Sequence, residues 1–332
     1  ECVTACENVM NAGYELGNDY QATYNSVSLS SNPEVIFFKE YKDNLFYHSL
    51  ISYTCSSTQI SGMTKDAFDA YLFKDGKPLS LTSENKSDVG EEDADGNYSI
   101  AKLLEVRDAR LAKTIDPFVY YEGMGWTRAG AMDMTSSTGY GVLKFDEPNT
   151  VAKNRQSTNG NETDGPIFWL GLILINHAEA CAELGLDAEA IASLNQLRAR
   201  AGMPNYTPLN DPANTIGVSD LIWEIRRERR VELMYDKNDR YWSLIRWHQL
   251  DKLDTEKYPE QTLGAWIDMS DERMVSQVDK KNVTVNADGY IDCSINTKGE
   301  LVTRVFDEKH YLAPIPSGQI SLNPNLTQNP GW

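Results

Sequence analysis

The sequence has no apolar run long enough to cross a bilayer: the longest, Phe168 to Ile175, falls far short of the roughly 20 residues a membrane helix needs. Positive charge is also scarce. Lys and Arg number 31 against 49 Asp and Glu, a formal charge of −18 over 332 residues, and no long Lys/Arg run interrupts the balance. Such a surface repels phosphate backbones and anionic head groups, which argues against nucleic acid as a partner. The five cysteines (Cys2, Cys6, Cys55, Cys181, Cys293) are odd in number, widely spread and never spaced as CxxC. That pattern disfavours a structural zinc site and a dense disulfide framework, so buried, inert thiols are expected. The start, Glu1 to Cys6, has neither the basic nor the apolar part of a signal peptide; an exported form would already have lost its signal. Hydrolase and nucleotide signatures are missing as well: GxSxG, HExxH, GxxxxGK[ST] and GxGxxG do not occur, and the four histidines are scattered. No catalytic set, cofactor site or metal site is expected.

What is present is organised in three stretches of one domain spanning 1–332. Residues 1–165 are rich in turn formers such as Asp75-Gly76, Asp95-Gly96 and Asn159-Gly160, with a short helical patch at 100–113. At the front, Val3, Cys6, Val9 and Met10 fall at helical spacing with Gly13 as the stop, so the chain opens as if inside a helix and reads as a fragment. Glu34 to Phe38, β-branched and aromatic, predicts a strand. Residues 166–250 change character: Ile167 to Leu184 predicts a helix closed by Gly185, and Ala188 to Ala201 a second closed by Gly202, with Pro204 beyond. Their short connection forces an antiparallel hairpin. Ala178, Ala182, Ala188, Ala192, Leu194 and Leu197 are spaced like one tetratricopeptide unit, which buries its apolar face only against stacked neighbours. A third helix is expected from a Ser219 cap to Tyr235, then a basic aromatic segment, Arg240 to Trp247; residues 251–332 are loop-rich.

Several features look chemical and read better as structure. His177 and Glu179 are two residues apart and do not face each other on a helix. The acidic run Glu91 to Asn97 resembles a calcium loop, yet its twelfth position is Lys102 rather than Glu, which favours a solvated hairpin tip. The alternating Arg226 to Glu232 segment suits a helix laced to its neighbours by ion pairs. Aromatics, at 10%, are more informative. A sugar ring packs its C–H face on an aromatic plane while its hydroxyls bond polar side chains, so aromatics in polar loops suit a glycan binder. Tyr41, Phe46, Tyr47 and Tyr53, interleaved with Asp43, Asn44 and Gln59, have that character, as does Tyr120-Tyr121 through Trp126.

In order along the chain, Gly13-Tyr14-Glu15-Leu16 with Asp19-Tyr20, Pro33-Glu34-Val35-Ile36-Phe37, Ser57-Thr58-Gln59 with Phe68-Asp69-Ala70-Tyr71, Arg107 to Leu111, and Leu194 to Gly202 resemble motifs of the SusD/RagB family of outer-membrane nutrient-capture lipoproteins. Glu228 to Leu233 with Arg240-Tyr241-Trp242, and above all the ending Thr327-Gln328-Asn329-Pro330-Gly331-Trp332, continue the resemblance. One extra residue between Leu233 and Arg240, and Ser243 in place of the family's Asp, depart from it. The resemblance implies a mostly α, SusD-like fold of tetratricopeptide-type helix pairs with extensive loops and few short strands. It implies a non-catalytic surface protein that binds an oligosaccharide and delivers it to a SusC-like TonB-dependent transporter. The family's N-terminal lipid anchor and first helices lie outside this chain, which matches the C-terminal larger part, so Cys2 is not the acylated residue. The implied ligand region, after the strand, is 39–73. Tyr41, Phe46, Tyr47, Tyr53, Gln59 and Trp126 are therefore candidate ligand-binding residues by position and type. A peptide or other nutrient as ligand, a glycoside hydrolase, and a pure protein scaffold are the alternatives.

Overall fold

The computed structural model describes residues 1–42, 45–54, 62–122, 136–147, 160–237, 239–281, 283–295 and 298–332. Gln59 and Trp126, and with them Asp43, Asn44 and Cys55, lie outside the described residues. The fold is mostly helical. Its longer helices are α1 (Cys2–Met10), α2 (Leu170–Glu183), α3 (Asp187–Arg200), α4 (Asp220–Glu232), α5 (Asp239–Arg246) and α6 (Glu272–Lys281). Among the described residues the strands form a two-stranded ribbon and two small three-stranded sheets.

The α2–α3 hairpin is built as its glycines dictate. Gly185 (φ 73°) and Gly202 (φ 68°) take the left-handed conformation that L side chains avoid. At each helix end two backbone bonds close the last turn: Gly185 N–H donates to Ala182 and Leu186 N–H to Cys181, then Gly202 to Ala199 and Met203 to Arg198. Leu174, Ile175, Ala178 and Cys181 of α2 meet Ala190, Leu194 and Leu197 of α3, all buried. Helices α1 and α4 also pack against α2. His177 is buried here, its Nδ1 2.8 Å from Ser193 Oγ, a structural placement.

Three expectations need correction, the first being that the thiols are buried: Cys6 and Cys181 are, but Cys2 and Cys293 are exposed. Residues 167–169 are not helical: β5 (Gly165–Trp169) pairs antiparallel with β1 (Val35–Lys39), and α2 begins only at Leu170. The β-branched and aromatic run Ile167-Phe168-Trp169 finds a strand partner in β1, and that pairing outweighs the periodicity running through it. The patch at 100–113 is two short helices, Ala101–Glu105 and Leu111–Thr114, split around Asp108. The acidic run is the turn between β2 (Glu91–Glu92) and β3 (Tyr98–Ser99); Asp93 Oδ1 accepts from the N–H groups of Asp95 and Asn97. Beside it, β4 (Phe118–Tyr120) pairs with β3.

Two apolar clusters make the core. One surrounds the α2–α3 hairpin; the other gathers Phe68, Tyr71, Leu103, Tyr140 and Ile291. Helix α4 stands between them with its acidic face buried. Arg110 donates to Glu228 at 2.5 Å and to Glu232 at 2.8 Å, and Arg198 donates to Glu224 at 2.8 Å. Arg200 donates to Glu34 at 3.0 Å and to Glu232 at 2.5 Å. The alternating signs of α4 are thus ion pairs that fasten it to the segment around Arg110 and to α3, whose Arg200 also holds Glu34 at the start of β1.

Candidate functional site

Beyond β1 the chain turns through a tight loop that presents the expected aromatics. Its base is fixed by Asp164, just before β5. This buried carboxylate accepts the Tyr41 N–H on one oxygen (2.9 Å) and the Leu29 N–H on the other (3.0 Å). The loop closes on itself where Lys42 N–H donates to the Phe46 carbonyl (2.7 Å) and Phe46 N–H returns to Lys42 (2.9 Å). That closure lays the Phe46 ring on Tyr41, centroids 5.2 Å apart and planes 10° from parallel. Lys39 Nζ sits 4.2 Å from the Phe46 centroid, a cation on the face of the stack.

His48 braces the other side, edge-on to Tyr41 at 4.7 Å. Its Nδ1 accepts from Leu50 N–H (3.1 Å), so Nε2 carries the proton and donates to the Thr163 carbonyl (2.9 Å). Burial holds its pKa below the usual histidine value, against the pull of that carbonyl, and the ring stays neutral at pH 7. Phe46 is 50% exposed, Tyr47 43% and, on the short helix Leu50–Thr54, Tyr53 53%: large apolar surface turned to solvent. The structure therefore stacks Tyr41 and Phe46 and leaves Tyr47 of the loop and Tyr53 of the short helix after it exposed.

Tyr41 of the stack also lines a cavity of about 440 Å³, with His48, Asp164, Trp169, Tyr235 and Lys237 among others. Tyr235 and Lys237 escaped the sequence reading. They occupy the turn after α4 where the extra residue was noted, both at positive φ (67° and 43°), a conformation costly for side-chain-bearing residues. The Lys237 ammonium donates to the Ile167 carbonyl of β5 and lies 5.3 Å from the Trp169 ring. A strained turn of this kind has no pattern in a single sequence. The carboxylates on the cavity wall are engaged: Asp164 as described, and Asp236 with the buried Lys144 ammonium at 3.2 Å. Burial raises the Asp236 pKa and lowers that of Lys144. The arrangement offers flat apolar rings, a cation and backbone-fixed polar groups, the elements of stacking recognition. Among the described residues no three His, Cys, Asp or Glu side chains gather as metal ligands, and no helix is long and apolar enough to cross a membrane.

The model of the SusD family matches residues 33–332. The chain belongs to the SusD/RagB family. Solved relatives share the fold: a SusD-like protein from Bacteroides fragilis (24% identity, TM-score 0.63) aligns over 99% of this chain and 61% of its own length. A SusD-like carbohydrate binding protein from the same species (22%, TM-score 0.67) covers 98% and 60%. A surface glycan-binding protein A from Bacteroides uniformis (17%, TM-score 0.51) covers 98% and 55%. No curated protein matches the sequence. This SusD-family chain thus spans about three fifths of the length of the relatives it matches. Within the family fold, the β1–β5 ribbon joins the loop that follows β1 to the start of the α2–α3 hairpin.

Proposed function

We propose that this chain is the ligand-capturing part of a non-catalytic cell-surface protein that binds an oligosaccharide and passes it to a SusC-like TonB-dependent transporter in the outer membrane. The intact protein would be held there by an N-terminal lipid. The observation that carries the reading is the Tyr41–Phe46 stack, fastened by Asp164 and flanked by exposed Tyr47 and Tyr53. A pre-stacked pair costs little further entropy on meeting a sugar face, so its apolar area is available for binding. The family assignment supports it, since one solved relative is itself a carbohydrate binding protein. In this reading residues 1–165 supply the ligand face, 166–250 the helical support and 251–332 a loop-rich cover, with Gln59 and Trp126 as further candidate contacts. The engaged state of Asp164 and Asp236 speaks for capture rather than glycoside hydrolysis, which needs two carboxylates free to act on the sugar.

The test is calorimetry of the protein against a panel of neutral oligosaccharides, with Phe46→Ala and Tyr47→Ala beside it. Binding of at least one glycan, weakened by both substitutions, is expected. Absence of binding across the panel, or binding indifferent to both, overturns the assignment of this loop. Co-purification with the transporter tests the delivery step.

A further inference from the structure

A larger cavity, about 590 Å³, opens along α4 and shares no lining residue with the one at the aromatic stack. In a chain of net charge −18 it gathers five cations: Arg226, Arg227 and Arg230 of α4, Arg240 of α5, and Lys252. Two are answered. Arg227 pairs with the buried Asp211 and Arg230 with Asp66 at 2.5 Å. The third lining aspartate, Asp69, is taken by Lys65 at 2.7 Å and Arg107 at 3.1 Å.

Of the other three, one has a long ion pair and two have none among the described residues. Arg226 reaches only the half-exposed Glu183, at 3.6 Å, and lies 4.7 Å from the Trp247 ring with its Nε buried and unpartnered. Lys252 spends its ammonium on a neutral partner, the Tyr258 hydroxyl at 3.1 Å. Arg240, half-buried, has no carboxylate within 4.0 Å among the described residues. Burial and the neighbouring Arg230 push its pKa down to about 9, more than the pull of Asp66 and Asp239 restores. The remaining lining carboxylate, Glu260, is exposed at the surface. Trp247 and Tyr258 line the cavity as well, each with a cation over its ring, Arg226 at 4.7 Å and Lys252 at 4.3 Å.

We propose that this cavity is a second binding site, for a saccharide carrying an oxyanion, with the carboxylate or sulfate received by Arg240 and Lys252 and the ring packed on Trp247. An oxyanion supplies the charge that the cavity lacks, and guanidinium bonds to it are among the stronger hydrogen bonds. Lys39 and Lys237 stand at the Tyr41 stack too, on the Phe46 ring and the Ile167 carbonyl, so it is the Arg240 and Lys252 variants that tell the two sites apart.

The experiment is calorimetric titration with digalacturonate, a sulfated chondroitin disaccharide, neutral galactobiose and inorganic sulfate, using the whole chain and the variants Arg240→Gln and Lys252→Gln. At least one acidic disaccharide is expected to bind about ten-fold or more tighter than galactobiose, and each variant to lose about ten-fold of that affinity. Whichever acidic disaccharide binds identifies the oxyanion. Lys252 lies on a short surface turn, so its variant remains informative should Arg240→Gln fail to fold. The proposal is overturned if neither acidic disaccharide binds, if galactobiose binds equally well and is weakened equally by the two variants, if the variants retain full affinity, or if inorganic sulfate alone is bound. Acidic binding lost in these variants, in a protein that binds no neutral glycan, would support this site while removing the function proposed for the Tyr41 loop.

Discussion

The Glu232 carboxylate, wholly buried, receives both hydrogen bonds of the Arg200 Nη2 at 2.5 Å, joining the last turn of α4 to the last turn of α3. Arg110 approaches the same carboxylate from the opposite side. Removing one partner of such a group strands the other charges in a medium that cannot solvate them. Glu232→Ala is therefore expected to cost about 3–5 kcal/mol, read as a lower urea midpoint.

The same carboxylate sets an acid limit. Burial raises its pKa, but Arg200 and Arg110 outweigh burial and hold it below the ordinary 4.5. A depressed acid stabilises the fold fully above that ordinary value and loses its contribution as pH falls through the folded one. Glu34 works with the opposite sign, since burial there wins over Arg200 and lifts its pKa. Below about pH 4.5, wild-type stability should fall more steeply with pH than that of a Glu232→Gln variant. Parallel limbs in denaturation measured from pH 5 to pH 3 would contradict the assignment.

Asp164 makes the loop after β1 depend on one side chain. Replacing it by Ala orphans the Tyr41 and Leu29 N–H groups, at about 1–3 kcal/mol. Glycan affinity should fall with it although Asp164 need not touch the sugar. Asp164→Asn keeps one acceptor and should recover part of both losses. Equal behaviour of the two variants would remove the anchoring role.

Phe46→Ala is expected to behave differently. Half of the ring is already in water, so stability should change by less than about 1 kcal/mol. Loss of the stacking partner should weaken glycan binding by about 0.5–1.5 kcal/mol, up to roughly ten-fold. A large stability loss with unchanged binding would show the ring to be core rather than platform.

His48 offers a spectroscopic check. With its folded pKa lowered by burial, its share of stability is present above the ordinary 6.5 and is lost as pH drops below it. Nuclear magnetic resonance titration should place the imidazole below 6.5, protonated at Nε2 throughout the neutral range. A ring titrating above that value, or one carrying its proton on Nδ1, would refute the bonding to Leu50 and Thr163.

The helical hairpin was legible because its cues are local: Gly185 and Gly202 stop the helices, and Leu194 and Leu197 repeat at helical spacing. The start of α2 was not, because Ile167 to Trp169 satisfy both periods and only β1, over a hundred residues earlier, decides between them. Composition marked the loop after β1 as aromatic and polar, but not that Tyr41 would lie parallel to Phe46. That geometry is set by Asp164, distant in sequence. Tyr235 and Lys237 were invisible for a related reason: nothing around them announces a left-handed turn, which tertiary packing alone sustains.

The fastening of the Tyr41 loop at its base also bears on how such a protein changes over generations. Because Asp164 holds main-chain groups, the side chains at the loop's tip are almost decoupled from the energetics of the interior. On the proposed function, substitutions at Phe46 or Tyr47 would alter what is captured while leaving the helical support intact. A change of ligand would then ask for new codons at these few positions and leave the rest of the gene unaltered.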